Sequence, residues 1–369
     1  MLSRAPVLLL LACLVVSHQS VAGLSAADDA KIDAKLAKDL EPRRVTLKAD
    51  EIALSKALRM IQDQTGFEVQ PPADEDPTLK NVKLDKVPFW QALDTLAKSA
   101  DLRVYPYGRD RKITFMKHER GYREMPTCYS GPFRIVFKKI ILARDLENDA
   151  QGGIAYVEVA WEPRFRAFYA EPKLDSLEVK DDKGTVLEVP PGGKGRAPTG
   201  EGLTHQVEIP LPAFPRKALR IGEIHGEISV LGSPKLLTFT FDKLAKGQEQ
   251  TQDGVTVGLR TFKEGKELWT IDVGLKYPAD SPKLESFESI FIDNQAYLVN
   301  KAGMRMEPAG YEADDQTVAG QQMIRYRFVD DDAKQLKLGK SADWKLIYRT
   351  PAQIAEVPIK FSFKDVPLP

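Results

Sequence analysis

Hydrophobic positions in residues 44–117 follow first the pattern of a strand and then that of a helix face. Val45-Thr46-Leu47 alternates like a half-buried strand. The next apolar residues have the i, i+3, i+4, i+7 spacing of an amphipathic helix: Leu54, Ala57, Leu58 and Ile61. Gly66 is typical of a helix end, and Phe67-Glu68-Val69 again alternates. This half therefore predicts a strand, a helix and a second strand.

The same order recurs after a turn rich in proline and acidic residues. Val82-Lys83-Leu84 is strand-like, and Pro88 suits the first position of a helix. The second helix face consists of Phe89, Ala92, Leu93, Leu96 and Ala97. Leu102–Val104 and Ile113–Phe115 then predict two strands. Together the halves predict a duplicated β-α-β unit with an extra C-terminal strand, in which two helices cover a small sheet.

This stretch resembles the short N-terminal (STN) domain of secretins and TonB-dependent receptors. The residues that carry the resemblance are Val45-Thr46-Leu47, Leu54, Ala57-Leu58, Gln64-Thr65-Gly66, Val82, Leu84, Val87 to Leu93, and Leu102. The resemblance covers about a fifth of the chain and implies an α+β module for protein interaction in the cell envelope, without catalytic residues. The chain lacks a secretin pore and an outer-membrane barrel, so only the module is carried over.

After a polar connector, residues 118–130, the pattern predicts strands almost exclusively. Short strand-like runs recur between turn signals throughout 131–247, and a similar layout follows in 250–369. Both segments end alike, with Phe239–Lys243 and Phe361–Asp365. The fold class predicted is therefore an α+β N-terminal domain followed by an all-β part, two tandem immunoglobulin-like antiparallel β-sandwiches. One larger β domain over 131–369 is the alternative.

The N-terminus has the pattern of a signal peptide over residues 1–22. Arg4 precedes the short apolar run Val7–Val16, and Ser20-Val21-Ala22 offers small residues for cleavage. We expect an exported protein that is periplasmic, envelope-associated or secreted, with residues 23–43 as a linker or helical arm. No later segment is apolar enough to predict a membrane span. In a minor alternative, Cys13 is a lipid anchor, which the apolar residues after it disfavour.

Length, charge and cysteine content further restrict the class of protein. The 369 residues predict two or three domains, and 53 basic residues balance 53 acidic ones, so the basic excess of a nucleic-acid-binding protein is absent. After cleavage Cys128 is the only cysteine, which excludes an intramolecular disulfide. Its surroundings match no nucleophile motif, so we expect a structural role.

Residues that could support chemistry are scattered. His118, His205 and His225 have no metal-ligand spacing. On a strand, Glu223 and Glu227 would flank His225 about 13 Å apart, too far to share one ion. Gly192–Gly195 lacks the order of a phosphate-binding loop, and neither Asp330–Asp332 nor Asp314-Asp315 has the spacing of a calcium loop. We therefore predict no catalytic, cofactor-binding or metal-binding residue.

The sequence thus predicts a non-enzymatic protein that interacts with or scaffolds another envelope protein. The alternative is carbohydrate binding or surface adhesion through the aromatic residues Trp161, Phe165, Phe168 and Tyr169, although a core position is the simpler interpretation of those rings. An enzyme with an unrecognised site comes third. Because acids such as Glu158 and Glu178 alternate with apolar residues, we expect them to face solvent and no two buried carboxylates to meet.

Overall fold

The computed structural model describes residues 34–108, 111–191, 195–200, 202–278, 294–313 and 321–369, and these are mostly β. The N-terminal elements are α1 (Ala34–Asp39), β1 (Arg44–Ala53), α2 (Leu54–Thr65), β2 (Val69–Gln70), β3 (Thr78–Pro88), α3 (Phe89–Ser99), β4 (Leu102–Tyr105) and β5 (Ile113–Lys117). The signal peptide, the Cys13 alternative, most of the glycine loop and Asp314-Asp315 lie outside the described residues.

The remaining elements are strands, apart from one short 3₁₀ helix at Ser341–Asp343. The first group is β6 (Thr127–Ser130), β7 (Phe133–Arg144), β8 (Gln151–Trp161), β9 (Arg166–Asp181), β10 (Val186–Leu187), β11 (Ala197–Pro198), β12 (Thr204–Leu211) and β13 (Arg220–Ser233). The second group is β14 (Lys235–Phe241), β15 (Glu249–Gln252), β16 (Val255–Glu264), β17 (Leu268–Lys276), β18 (Gln295–Asn300), β19 (Arg305–Met306), β20 (Gly310–Ala313), β21 (Gln321–Val329), β22 (Trp344–Ala352) and β23 (Ala355–Pro367).

The helices of the α+β region form where their apolar faces were predicted. The four apolar residues of the α2 face are all buried, and α2 ends at Gly66, whose φ of 77° suits glycine. The Gly66 N–H donates to the carbonyl of Gln62 at 2.7 Å, which satisfies one of the last free carbonyls of the helix. Pro88 precedes α3, whose buried face includes Phe89 and Leu93.

The strands of this region form two small sheets instead of the single one predicted. β1 and β3 pair antiparallel from Arg44 opposite Pro88 to Ala53 opposite Thr78, and β2-β5-β4 is a separate sheet. The reason is strand length. β1 and β3 pair over nearly their whole length, so each supplies the backbone hydrogen-bond partners of the other. β2 has only two residues and pairs parallel with β5. Helix α2 contacts β1 and β2, and α3 contacts β3 and β4, so the helices touch both sheets.

Four open sheets make up the described β part. Their strand orders are β12-β8-β7-β6, β10-β9-β13-β23, β14-β22-β18-β19 and β15-β16-β17-β21-β20, with β11 beside β9. β6 was expected to belong to the connector, yet Thr127–Ser130 pairs with β7. The last strand, β23, pairs with β13, so strand pairing crosses the boundary predicted at 247–250. The division of residues 131–369 into two sandwiches stays a prediction.

The sheets β14-β22-β18-β19 and β15-β16-β17-β21-β20 share one apolar core. Its largest members include Phe239, Trp269, Phe328 and Tyr348, all fully buried. The sheet of β7 and the sheet of β23 also meet through aromatic rings, since Phe137 on β7 and Phe363 on β23 pack edge to face with centroids 5.4 Å apart. No helix in the described part of the chain is long and apolar enough to cross a membrane.

Candidate binding cleft

A bidentate ion pair joins the α+β region to the first β segment. Arg134 on β7 donates from Nε to Asp94 Oδ2 at 2.7 Å and from Nη2 to Oδ1 at 2.9 Å. Asp94 lies on α3, and its Oδ2 also accepts from the Tyr129 hydroxyl at 2.7 Å. The Arg134 side chain is 7% exposed, so the pair is nearly removed from water. Such a pair fixes the orientation of helix and strand because both donors of the guanidinium fork are engaged.

Glu158 lies beside the Arg134–Asp94 pair, and the expectation for its exposure was wrong. It was expected to face solvent, but its side chain is 3% exposed, with Oε1 at 3.8 Å from Arg134 Nη1 and 3.2 Å from Lys138 Nζ. The reason is that β8 lies between β7 and β12, and its residues from Val157 to Trp161 are buried on both faces. A buried carboxylate and the largely buried Asp94 therefore share one arginine. We call Asp94, Arg103, Tyr129, Arg134, Lys138 and Glu158 the charge cluster.

Burial shifts the pKa values of Glu158, Lys138 and Tyr129 in the direction that disfavours charge. It raises the pKa of Glu158 to about 7, with a further increase from the charge of Asp94. It lowers the pKa of Lys138 to about 8, helped by the positive charges of Arg134 and Arg103. The short Lys138–Glu158 contact opposes both shifts, since each partner favours the charged form of the other. Burial also raises the pKa of Tyr129, which keeps it a hydrogen-bond donor to Asp94.

The charge cluster lies at the border of an open cleft of about 1540 Å³. The walls come from α3, β4, β5, the 118–126 connector, β6, β7 and the C-terminal residues. Eight basic residues line the cleft: Lys98, Arg103, Lys117, Arg123, Arg134, Lys138, Lys139 and Lys364. The acidic side chains among the lining residues are Asp94 and Glu124. In a chain without net charge, this is a local concentration of positive charge, and we call it the basic cleft.

Exposed aromatic and apolar side chains also line the basic cleft. Tyr105 and Tyr107 are 41% and 49% exposed, and their ring centroids are 4.9 Å apart. Met116, opposite Arg103 in the β4–β5 pair, is 44% exposed. Large half-exposed side chains beside cations offer apolar contact area as well as charge to a ligand.

The residues singled out from the sequence are spread over the structure. His118 lines the basic cleft and accepts at Nδ1 from the Arg120 N–H at 3.3 Å. His205 lies on β12, where burial lowers its pKa. His225 Nε2 is 3.8 Å from Glu178 Oε1, and Glu223 is 3.1 Å from Lys180 Nζ, so this strand face carries ion pairs. In the described ranges, no three His, Cys, Asp or Glu side chains converge in a way that could hold a metal ion.

The remaining residues singled out from the sequence have positions that indicate structural roles. Burial raises the pKa of the Cys128 thiol to about 11, so the thiol stays protonated at neutral pH. Asp330 and Asp331 accept backbone N–H groups within their own turn, from Leu338 at 2.9 Å and Lys334 at 3.1 Å. The rings of Trp161, Phe165 and Phe168 are buried and that of Tyr169 is partly buried, as the core interpretation predicted.

Sequence reasoning did not identify the basic cleft. Its cations come from positions scattered between 98 and 364, so no local run of basic residues in the sequence predicts the cleft. Comparison of the chain with protein-family models, curated proteins and solved structures gave no significant match.

Proposed function

We propose that this chain is an exported, non-enzymatic envelope protein that binds a partner in the basic cleft and holds it against a rigid junction. The observation that carries the proposal is the excess of cations in an open cleft between the α+β region and the first β segment. Export is proposed from the signal-peptide pattern of residues 1–22. We propose that the partner is another envelope protein. A nucleic-acid partner is disfavoured because the 53 basic and 53 acidic residues of the chain balance.

The proposed architecture has three modules. The α+β region, 44–117, is proposed to be an STN-like interaction domain, supported by its strand–helix–strand order repeated twice with the Ala-Leu pairs on the helix faces. The rest is proposed to form two immunoglobulin-like sandwiches, the first of which includes β23. Support for the second comes from the apolar core that its two sheets share.

Carbohydrate binding is the weaker alternative. It was predicted from four aromatic residues near β8 and β9, and three of these rings are buried where no sugar can stack on them. The exposed pair Tyr105 and Tyr107 is what remains to support a sugar platform, and it lies beside cations.

Site-specific photo-crosslinking in the native envelope tests the proposal. A photoreactive phenylalanine derivative replaces Tyr107 in the basic cleft or, as a control of equal exposure, Tyr311 on β20. We expect a discrete protein adduct from position 107 and none from position 311. Equal labelling at both positions, or no adduct at 107, would contradict the proposal, as would turnover in a broad hydrolase screen.

A further inference from the structure

We propose that the ligand of the basic cleft is an extended acidic peptide segment that pairs with the free edge of β4. This inference rests on the proposed function, since it names the chemistry of the partner that the cleft would bind. Three features carry it: the arrangement of the cations, the buried Arg103 Nε that has no hydrogen-bond partner among the described residues, and the outer edge of β4, which pairs with no second strand in the described part of the chain.

The exposed cations of the basic cleft come from several of its walls. Lys117 ends β5, Arg123 lies in the connector, Lys139 lies on β7 and Lys364 on β23. All four are exposed. Successive side chains of an extended peptide point to opposite faces, about 3.3 Å apart along the chain. Cations on several walls therefore match carboxylates that leave an extended chain in both directions.

Arg103 shows that the positive charge is not fully neutralised from within. Its Nε is buried and has no hydrogen-bond partner among the described residues. Its neighbours include Lys138, whose pKa it lowers by repulsion. A buried donor without an acceptor is costly, and an acceptor from a ligand would remove that cost. A carboxylate is the complementary group, because it accepts from a guanidinium fork and relieves the repulsion with Lys138.

Strand β4 offers main-chain groups to the same ligand. It is the outer strand of the β2-β5-β4 sheet, and β5 is its sole strand partner in the part of the chain that the structure describes. Arg103 and Tyr105 on this strand line the cleft. An outer strand presents N–H and C=O groups that a second extended chain can pair with, which is the usual route of β-strand addition.

These features favour a peptide over other polyanions. Sugar polyanions and single-stranded nucleic acids can pair with the cations and stack on Tyr105 and Tyr107, but neither has the alternating N–H and C=O groups that match an open strand. Met116, half-exposed beside Arg103, adds a flexible apolar contact that suits a side chain of a peptide.

Binding of a fluorescent ten-residue oligoglutamate peptide to the purified protein, followed by anisotropy, tests the inference. We expect saturable binding that weakens as salt is added, because exposed charges are screened. Arg123→Glu with Lys139→Glu should weaken binding at least tenfold. The matched control, Lys243→Glu with Lys246→Glu, reverses two exposed lysines outside the basic cleft and should change it less than twofold.

Three further probes distinguish main-chain pairing from charge attraction alone. A peptide of the same sequence with alternate main-chain nitrogens methylated keeps its charge but cannot pair with a strand, and we expect at least fivefold weaker binding. Oligogalacturonate and oligothymidylate of the same charge should bind more weakly than the peptide. Equal binding of the methylated peptide, or tighter binding of either polyanion, would overturn the inference.

Failure of the inference is distinguishable from failure of the proposed function. If position 107 crosslinks a partner but the oligoglutamate peptide does not bind, the cleft is a binding site for other chemistry and the acidic-peptide assignment is wrong. If the peptide binds and no crosslink forms in the envelope, the cleft chemistry holds and the proposed cellular role fails.

Discussion

The protein has two junctions, and they are built in different ways. The first joins the α+β region to β7 and β8 through buried charge, because Arg134 on β7 holds both Asp94 of α3 and Glu158 of β8. The second joins the two β segments through continuous chain, since the β13–β23 pair continues as the β14–β22 pair. Phe168 and Leu231 add apolar contacts to the second core.

The first junction also holds the N-terminal arm in place. Arg164 donates to the backbone carbonyls of Asp39 and Glu41, and Glu162 Oε1 accepts from the Arg43 N–H at 2.7 Å. Residues 34–43, expected as part of a linker or helical arm, therefore contain the short helix α1 and contact the first β segment. The arm is therefore held by Arg164 and Glu162, whereas the α+β region is held by Arg134 and Asp94.

The two junctions should respond differently to substitutions and to pH. Buried ion pairs add little net stability, but removing one partner leaves an uncompensated charge and is strongly destabilising. Apolar contacts lose free energy in proportion to the volume removed and are insensitive to pH. We therefore expect the first junction, which borders the basic cleft, to be the one that responds to pH and to charge substitutions.

The largest effect is expected from Arg134→Met. The substitution leaves Asp94 and Glu158 without their shared cation, and should lower the free energy of unfolding by about 4 kcal/mol. Urea denaturation followed by tryptophan fluorescence measures it. Arg327→Met, which removes an exposed pair with Glu312, is the matched control and should cost less than about 1 kcal/mol. Equal losses would show that burial does not distinguish the two pairs.

Phe168→Ala tests the second junction and should cost about 3 kcal/mol through the cavity that it leaves. The loss should be the same at about pH 5 and about pH 7.5, because no charge is involved. Denaturation curves at both pH values measure it. A loss that changes by more than about 1 kcal/mol between them would mean that the second junction is coupled to titrating groups.

Glu158→Gln should remove a specific pH dependence. Because burial raises the folded pKa of Glu158 to about 7 from a usual value of 4.5, its contribution to stability is complete below pH 4.5 and is lost as pH rises through 7. Asp94 adds to this shift, while Lys138 and Arg134 oppose it, so we expect a loss of about 1–2 kcal/mol. The difference between wild-type and Glu158→Gln unfolding curves across this range isolates it. A constant difference would contradict the prediction.

The smallest effect is expected from a single hydrogen bond at the first junction. Trp90 Nε1 on α3 donates to the carbonyl of Pro132 at 3.2 Å, whereas the buried Nε1 of Trp161 has no partner in the described residues. Trp90→Phe and Trp161→Phe remove the same atoms. The first should cost about 1 kcal/mol more, measured by urea denaturation. No difference would show that the bond adds nothing to the junction.

Local patterns predicted most of the elements of the α+β region correctly. The face with Leu58 and the face with Leu93 are both buried, and Gly66 ends the first helix, because periodicity and helix-end chemistry depend only on neighbouring residues. The pattern could not predict that β3 pairs with β1 while β4 pairs with β5. Strand partners are chosen by matching lengths and edges that lie far apart in the sequence.

Local hydrophobic spacing was enough to predict the strand-rich character of the chain, the two helix faces, and the core positions of Trp161 and Phe165. Folding alone produces three other features: the pairing of β23 with β13, the burial of Glu158 and the grouping of cations around the basic cleft. Each of these depends on which distant residues become neighbours. An alternating strand shows which residues share a face, but whether that face meets water or a second region is decided only when the chain has folded.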